Sequence, residues 1–353
     1  MALLGFYRGA SPPATVAGVR PIALDRTADA AFTQRAMAVA SARASAGRLS
    51  RTLGPVDAIV ARNLETMPLA QALKARDPSS PPLTYEVLDV HRLLLGRSGR
   101  ARVLRTVEGR LAAAADLLLV SSPAFVEEYF DPTSAVRLPT LLVENKVLNA
   151  PEPLAAPRAA GPPWRIGVFG ALRCARSLEL LGTLASALDG RVEVVIRGRP
   201  SSAVFDDFED TVARWPHATY HGPYANPDDL PAIYHDVHFV WAIDYFEAGG
   251  NSEWLLPNRL YEAGAYRAVP LARRGTQTAR ALEAWGFGMV FGDDLQEELV
   301  RTFSTLHEAR YRAEGDRVAT IPRTTFVATD ADCRALVERL ATAGGGQAMA
   351  RAS

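Results

Sequence analysis

One stretch, residues 236–277, holds the densest group of side chains that bind and polarise substrates. A buried-strand run, Val237 to Ile243, opens into a polar, Gly-rich loop, Asp244 to Glu253. Pro257 then starts a helix, whose first turns carry Asn258, Arg259 and Glu262. Carboxylates accept hydrogen bonds from hydroxyl groups, guanidinium groups bind phosphates, and ligands of open α/β sheets bind where strands give way to helices. This stretch therefore predicts a ligand site; the alternative is an acidic surface loop before an ordinary helix.

Three further positions have the same strand-to-helix character. Gly170 permits a tight turn after a strand, and Arg173 stands where the next helix begins, which is a natural place for an anion. Arg197 ends another strand. Thr276 offers a hydroxyl to a phosphate, or simply caps a helix. Neither the GxGxxG pattern nor the P-loop pattern occurs, so neither NAD nor ATP is inferred.

A second polar group follows the strand Leu83 to Val90. Asp89 and His91 are residue types that remove or deliver protons, and Glu247 in the later loop is a third candidate. We take these three as the candidate catalytic residues. The alternative for His91 is a structural role, which is the more common one for a lone histidine.

Strands alternate with helices along the whole chain, which predicts an α/β fold with parallel sheets covered by helices. With 353 residues the chain is long enough for two domains. We place an N-terminal domain at 1–150, a Pro/Ala-rich linker at 151–163, a C-terminal domain at 164–328, a terminal helix at 329–343 and a disordered tail at 344–353. Long helices are predicted over three ranges: Ala28 to Leu53, Val103 to Ala115 and Glu297 to Arg312.

Composition limits the classes of protein to which this chain can belong. Two cysteines give no disulfide framework, and no apolar run reaches the roughly 18–20 residues that cross a bilayer. The N-terminus lacks the apolar core of a signal peptide, so we expect a cytoplasmic protein. The first 150 residues carry 18 basic and 13 acidic side chains, whereas the remainder has an acidic excess of the same size.

The first 150 residues contain a cluster of arginines in which Glu108 is the only acidic residue. It comprises Arg92, Arg97, Arg100, Arg102, Arg105 and Arg110. Such clusters attract phosphates, nucleic acid or anionic membranes. We assign Arg97, Arg100, Arg102 and Arg105 to the acceptor and the inner face of the inner membrane rather than to nucleic acid; the alternative is a solvated helix face.

The segment PNRLYEAGAYRAVPLA resembles the donor-site helix of GT-B glycosyltransferases, and WAIDYFEAGGNSEWLLPNRLYE resembles bacterial exopolysaccharide glycosyltransferases of the succinoglycan type. The resemblance implies that Glu262 holds the ribose hydroxyls of a nucleotide and that Arg173 contacts the diphosphate. The broader families place a second Glu eight positions earlier, where this chain has Trp254. The nearest carboxylates are Glu253 and Glu247, with Asn251 between them as a further donor-binding candidate.

The pattern YEVLDVHRLLLG resembles the N-terminal domain of the same enzymes. The resemblance implies two Rossmann-like domains facing a cleft, with a terminal helix that packs back across their junction. It also implies that the segment matching LLGFYRG is the second strand of the domain. We therefore expect an N-terminal domain without its first strand-loop-helix unit.

These observations predict a metal-independent hexosyltransferase. Its donor would be a nucleotide sugar, a UDP-sugar, and its acceptor a lipid-linked oligosaccharide in exopolysaccharide assembly. No DxD triplet, HExxH motif or Cys/His cluster occurs, so no metal or other cofactor is expected. One alternative is a catalytically silent GT-B protein that binds a glycan or an assembly partner. Another is a sugar-nucleotide epimerase of the same fold.

Overall fold

The computed structural model describes residues 1–27, 32–154 and 159–344. Three predicted features fall partly outside these ranges: the start of the helix predicted from Ala28, residues 155–158 of the predicted linker, and the predicted tail from residue 345 on.

Short strands alternate with helices through both halves of the chain. The strands are β1 Leu4–Tyr7, β2 Ile22–Arg26, β3 Ile59–Arg62, β4 Leu83–Val87, β5 Leu117–Val120, β6 Thr140–Leu142, β7 Val147–Leu148, β8 Trp164–Leu172, β9 Val192–Pro200, β10 Ala218–Tyr220, β11 Phe239–Trp241, β12 Val269–Arg273, β13 Met289–Phe291 and β14 Val327–Ala328. The helices are α1 Phe32–Ala44, α2 Ala46–Leu53, α3 Met67–Lys74, α4 Arg92–Leu95, α5 Gly99–Ala112, α6 Pro123–Phe125, α7 Ala175–Ala187, α8 Phe208–Ala213, α9 Leu230–His235, α10 Asn251–Trp254, α11 Asn258–Ala265, α12 Gln277–Trp285, α13 Leu295–Thr305, α14 Glu308–Thr320 and α15 Asp330–Thr342.

The chain forms two compact units. Unit 1 contains Met1–Val120, Val126–Val143 and the chain from Arg334 on, and unit 2 contains Ser121–Phe125 and Glu144–Cys333. The chain thus passes between units four times: before and after Ser121–Phe125, after Val143, and within α15 after Cys333. The predicted boundaries at residues 150 and 163 stay predictions, as does the packing of the terminal helix across a domain junction.

Unit 2 is built on a six-stranded sheet in the order β10-β9-β8-β11-β12-β13, with every neighbouring pair parallel. The chain moves outward from β8 to β10 on one side and then from β11 to β13 on the other. The direction of winding reverses between β8 and β11, and ligands bind at the carboxyl ends of strands at such a reversal. Apolar clusters cover both faces, with Trp164 and Phe239 in one and Phe169 and Val240 in the other.

Unit 1 holds a four-stranded parallel sheet in the order β3-β4-β5-β6 and a separate parallel pair, β1-β2. Strand β5, LLLV, is buried along its whole length, as parallel strands covered on both faces are. Leu336 of α15 packs with buried Leu340 against Leu117 and Leu119 of β5. The predicted α/β class with parallel sheets is confirmed.

Predicted elements differ from the structure in their limits: the helix predicted over Val103 to Ala115 is α5, Gly99–Ala112, and the strand predicted over Leu83 to Val90 ends at Val87. Three further differences have a visible cause. The helix predicted over Ala28 to Leu53 is divided at Ser45, whose hydroxyl donates to the Ala42 carbonyl. The helix predicted over Glu297 to Arg312 is divided at His307, because its ring accepts from the Arg310 N–H and starts α14. Local side-chain bonds of this kind compete with helix continuation.

The third difference concerns Gly170, where a turn was predicted. The strand continues instead to Leu172, and Gly170 pairs with Gly198 of β9. Gly198 has φ +144°, and a Cβ there would lie 1.9 Å from the Gly170 carbonyl oxygen. Close approach of the two backbones therefore requires glycine at 198, whereas the φ of +105° at Gly170 is what favours glycine there.

Within the described residues, none of the helices combines the length and the apolarity needed to cross a membrane.

Candidate functional site

The carboxyl ends of β8 and β11, where the winding of the unit 2 sheet reverses, border a small cavity of about 30 Å³. Arg173 lines it from the β8–α7 connection, Ser177 from α7, Asp244 from the loop after β11, and Arg259 from α11. Leu172, Ile196 and Trp241 give it an apolar floor. A cavity of this size holds water. Predicted residues Arg173 and Arg259 therefore come together at the position that the sheet topology favours.

Three guanidinium groups converge on the aromatic pair Tyr245 and Phe246 beside this cavity. Arg173 lies 4.7 Å from the centroid of the Phe246 ring, and Arg176 lies 4.3 Å and Arg273 5.3 Å from that of Tyr245. We call Arg173, Arg176 and Arg273 the guanidinium cluster. Stacking on an aromatic face holds a guanidinium group while leaving its N–H edge for an anion.

The charge of the guanidinium cluster is only partly neutralised. Arg273 forms an ion pair with Glu253 at 2.7 Å. Within the described part of the chain, no carboxylate pairs with Arg173 or Arg176, and both side chains are exposed. Arg176 stands beside Arg173 at the helix start where the sequence predicts an anion site. Sequence reasoning assigned no role to Arg273, whose only signal was its position at the end of a strand.

The loop after β11 is shaped by three side chains that we had predicted to bind the donor or act in catalysis. Glu253 accepts hydrogen bonds from the N–H groups of Gly249 and Gly250. Asn251, which is buried, donates to Glu247 at 2.6 Å, and Ser252 donates to Asp244 at 2.6 Å. Glu247, Asn251 and Glu253 therefore hold the loop in shape, and their roles toward a sugar stay predictions.

Glu262 is a buried carboxylate in α11, with only 5% of its surface exposed. Its Oε2 accepts from the hydroxyl of fully buried Tyr234, whereas the one contact of its Oε1 among the described residues is with Nδ2 of Asn226 at 3.5 Å. Burial raises the pKa of Glu262, although the Tyr234 hydrogen bond and the positive charge of Arg259 oppose that shift. Burial and the Glu262 charge raise the pKa of nearby Tyr224 to about 12.

The remaining donor-site predictions are distributed around the same sheet. Arg197 is half-buried in β9, and Asn258 is exposed as the first residue of α11. Thr276 is buried and caps α12: its hydroxyl donates to the Arg273 carbonyl and accepts from the Ala279 N–H. The capping alternative for Thr276 is thus observed. Gly170 lies inside β8, as described above.

Unit 1 places Asp89 and His91 just beyond the end of β4, both exposed. Asp89 accepts from Nδ2 of Asn63 at 3.2 Å. Nδ1 of His91 accepts from the Leu93 N–H at 3.2 Å and caps α4. A neutral ring in that arrangement carries its proton on Nε2, a tautomer assigned from the hydrogen bond. His91 then presents a donor to its surroundings, and Asp89 presents an acceptor.

Glu108 was expected to lie in the exposed basic cluster, but it is 1% exposed. Its carboxylate accepts from three hydroxyl groups, those of Tyr85, Tyr129 and Ser134. Burial raises the pKa of Glu108, and these three hydrogen bonds oppose the shift. Sequence proximity to arginines concealed this role, because Glu108 is buried whereas most of the arginines around it are exposed.

The predicted basic cluster is otherwise a mixed basic and apolar surface on α4 and α5. Arg97, Arg100 and Arg102 are exposed. Arg105 is half-buried and donates to the Leu94 and Gly96 carbonyls. Three apolar side chains are exposed on the same two helices: Leu93 (43%), Val103 (63%) and Val107 (38%).

Among the described residues, no group of three or more His, Cys, Asp or Glu side chains is arranged to hold a metal ion.

The chain is 44% identical over 351 residues to the succinoglycan biosynthesis protein ExoL of Rhizobium meliloti, an alignment that covers 96% of this chain and 86% of that protein. No protein-family model matches.

Solved structures of similar fold include sucrose-phosphate synthase from Thermosynechococcus elongatus (TM-score 0.66, 14% identity, 99% of this chain and 89% of that one). They also include Anabaena HepE in complex with UDP-glucose (TM-score 0.63, 14% identity, 95% of this chain and 86% of that one). These similarities, with the parallel sheets described above, show a GT-B fold with two Rossmann-like domains. The resemblance on which the sequence prediction rested is therefore confirmed.

Proposed function

The chain belongs to the family of the succinoglycan biosynthesis protein ExoL, and we propose that it is a glycosyltransferase of exopolysaccharide assembly. It would transfer a hexose from a nucleotide sugar, a UDP-sugar, to a lipid-linked oligosaccharide. The name of the relative supports the pathway, and the complex of HepE with UDP-glucose supports the donor class. The proposal for this chain itself rests on the geometry of unit 2.

The single observation that carries the proposal is the guanidinium cluster at the carboxyl edge of the unit 2 sheet. Two of its three members, Arg173 and Arg176, have no carboxylate partner within the described residues. Both also stand at the beginning of α7, where backbone N–H groups favour an anion. A leaving nucleoside diphosphate gains negative charge as the glycosidic bond breaks. Fixed cations that meet this charge lower the barrier.

Glu262 suits the ribose of the same nucleotide. Burial of a carboxylate is costly unless its oxygens accept hydrogen bonds. The part of the chain that the structure describes supplies one strong donor, Tyr234, to Oε2 and the distant Asn226 amide to Oε1. A ribose diol carries two hydroxyl donors on adjacent carbons, and charge-assisted bonds to Glu262 would complete its shell.

Asp89 is the side chain of unit 1 that we assign to a sugar hydroxyl. As an ionised carboxylate it only accepts hydrogen bonds, whereas His91 in the tautomer above donates from Nε2. Asp89 would accept from a hydroxyl of the reacting hexose, and His91 would donate to an oxygen nearby.

For the acceptor we propose the anionic surface of the inner membrane as the place of encounter, with the protein on its cytoplasmic face. Exposed Arg97, Arg100 and Arg102 would attract anionic headgroups, and exposed Val103 and Leu93 would enter the headgroup region. Interfacial binding of helices combines these two contributions.

Calorimetric titration tests the donor site. UDP, GDP and UDP-glucose are titrated into the protein with and without EDTA. We expect micromolar binding of UDP and UDP-glucose, weaker binding of GDP, and no effect of EDTA, because guanidinium groups rather than a metal would meet the diphosphate. Absence of binding by every nucleotide would contradict the proposal and favour a catalytically silent protein of the same fold.

A further inference from the structure

Asn63, at the end of β3, has a backbone conformation that asparagine rarely adopts. Its φ is 63° and its ψ is 163°. Asparagine tolerates the left-handed helical region, but that region has ψ near 30–60°. The combination found here belongs to a region occupied essentially by glycine, and such strain concentrates at functional sites.

The surrounding structure holds Asn63 in this conformation from both sides. Its N–H donates to the Glu86 carbonyl at 2.8 Å. Its carbonyl accepts from the Thr66 N–H at 3.3 Å and from the Thr66 hydroxyl at 3.2 Å. Strain of this kind persists only where neighbours over-determine it.

The side chain of Asn63 is under a second conflict. Its Oδ1 is enclosed by the protein, and no donor among the described residues reaches it. Buried polar atoms without a partner are rare and call for an explanation. The alternative rotation of the amide gives no relief, because it would turn Oδ1 toward the Asp89 carboxylate. The orientation is therefore set by Asp89, which accepts from Nδ2 at 3.2 Å.

The strained backbone and the unpaired Oδ1 of Asn63 have one consequence in common. Together they bring the Nδ2 donor of Asn63 to Asp89 at the carboxyl edge of the unit 1 sheet. We propose that Asn63 is a positioning residue, which holds the Asp89 carboxylate in the orientation that accepts a sugar hydroxyl. This inference rests on the proposed function, because the role of Asp89 does. A turn residue selected for folding alone would be glycine.

Substitutions at Asn63 separate positioning from folding. Asn63→Gly removes the amide and relieves the backbone, whereas Asn63→Ala removes the amide and keeps the strain. We expect Asn63→Gly to melt above Asn63→Ala by about 2 °C or more. We also expect both variants to lose kcat for the hydrolysis of UDP-glucose, in which water takes the glucosyl group and UDP leaves, by the same factor, roughly 100-fold, because a small misplacement of a catalytic group has effects of that size.

If kcat instead changes in parallel with melting temperature, so that Asn63→Gly has a kcat close to that of wild type, the inference is overturned. Arg62→Gln is the neighbouring control: it breaks an exposed ion pair with Glu86 and should leave kcat unchanged. Combining Asn63→Gly with Asp89→Asn should add nothing to the loss caused by Asp89→Asn alone. Additive losses would mean that Asn63 acts independently of Asp89.

Failure of the inference and failure of the proposed function give different results. If wild type binds UDP and turns over UDP-glucose but Asn63→Gly does so equally well, only the inference fails. If wild type shows neither, the proposed function fails. The inference then fails with it, because a sugar hydroxyl for Asp89 to accept is part of that function.

Discussion

Each unit contains one buried glutamate that accepts from tyrosine, and the two differ in how completely the protein satisfies them. Glu108 in unit 1 accepts from three hydroxyl groups. Glu262 in unit 2 accepts one strong hydrogen bond, from Tyr234, and has a weak contact at its other oxygen. Burial raises the pKa of both. A saturated carboxylate holds a fold together, whereas an unsaturated one retains capacity for a ligand.

Two arginines repeat the contrast. Arg105 in unit 1 donates to the Leu94 and Gly96 carbonyls and so joins α4 to α5. Arg176 in unit 2 stacks on Tyr245 and pairs with no carboxylate within the described residues. Burial and residue type alone do not separate structural from ligand-binding groups. The number of hydrogen bonds that the protein already supplies does.

The largest predicted effect is the difference in kcat between the variants Arg176→Gln and Arg105→Gln. Arg176→Gln should lower kcat with UDP-glucose by about 100-fold, the size of effect seen when one stabilising group for developing charge is removed. Arg105→Gln should leave kcat unchanged and lower the melting temperature, because backbone carbonyls lose their donor. Steady-state kinetics and thermal melts of both variants check this. Equal kcat values would remove the contrast between the two arginines.

The next largest effect is expected on removing the tyrosine hydroxyl that donates to each buried glutamate. Tyr129→Phe removes one of three donors to Glu108 and should destabilise the protein by about 1.5–3 kcal/mol without changing UDP affinity. Tyr234→Phe removes the strong donor to Glu262 and should weaken UDP binding as well, since Glu262 would lose its fixed orientation. Denaturant unfolding and calorimetry on the same samples measure both quantities. A change of UDP affinity in Tyr129→Phe would contradict the account.

The raised pKa of Glu108 has a defined sign in stability. A raised pKa means that the folded protein binds this proton more tightly than the unfolded chain does, so the carboxyl favours folding at low pH. That contribution is fully present below the ordinary value of 4.5 and is lost as pH rises through the folded-state pKa. Relative to Glu108→Gln, wild type should therefore lose unfolding free energy as pH rises above 4.5. Denaturant unfolding of both proteins from pH 4.5 to 8 tests this. A wild type that gains unfolding free energy relative to Glu108→Gln as pH rises would contradict the prediction.

The smallest effect concerns the exposed arginines of α4 and α5. Arg102→Gln should weaken binding to vesicles of phosphatidylglycerol and phosphatidylethanolamine by about fivefold, equivalent to about 1 kcal/mol per basic side chain at a membrane surface. Arg312→Gln, at an exposed ion pair with Glu308 in unit 2, serves as the matched control. Vesicle sedimentation at two salt concentrations measures both. Equal loss in the two variants would mean that α4 and α5 have no special role.

The sequence predicted the parallel α/β architecture because strand and helix patterns are local. It also predicted Arg173 and Arg259 for one site, and the structure brings both to the same cavity; their roles there stay predictions. The sequence alone did not predict that Glu108 and Glu262 differ in the number of hydrogen bonds they accept. Tyr234 and Glu262 lie 28 residues apart. The partners of Glu108 come from strand β4 before it and from Tyr129 and Ser134, which follow it by 21 and 26 residues. Such pairing depends on how helices pack on the sheet, which hydrophobic periodicity does not specify.

The central claim is that Glu262 is incomplete without a nucleotide whereas Glu108 is already complete. Isothermal titration of UDP into Glu262→Gln and Glu108→Gln, beside wild type, measures it directly. We predict that Glu262→Gln loses about 10-fold to 100-fold in UDP affinity, through loss of charge-assisted hydrogen bonds, and that Glu108→Gln binds UDP as wild type does. Unchanged affinity in Glu262→Gln, or equal losses in both variants, would contradict the claim.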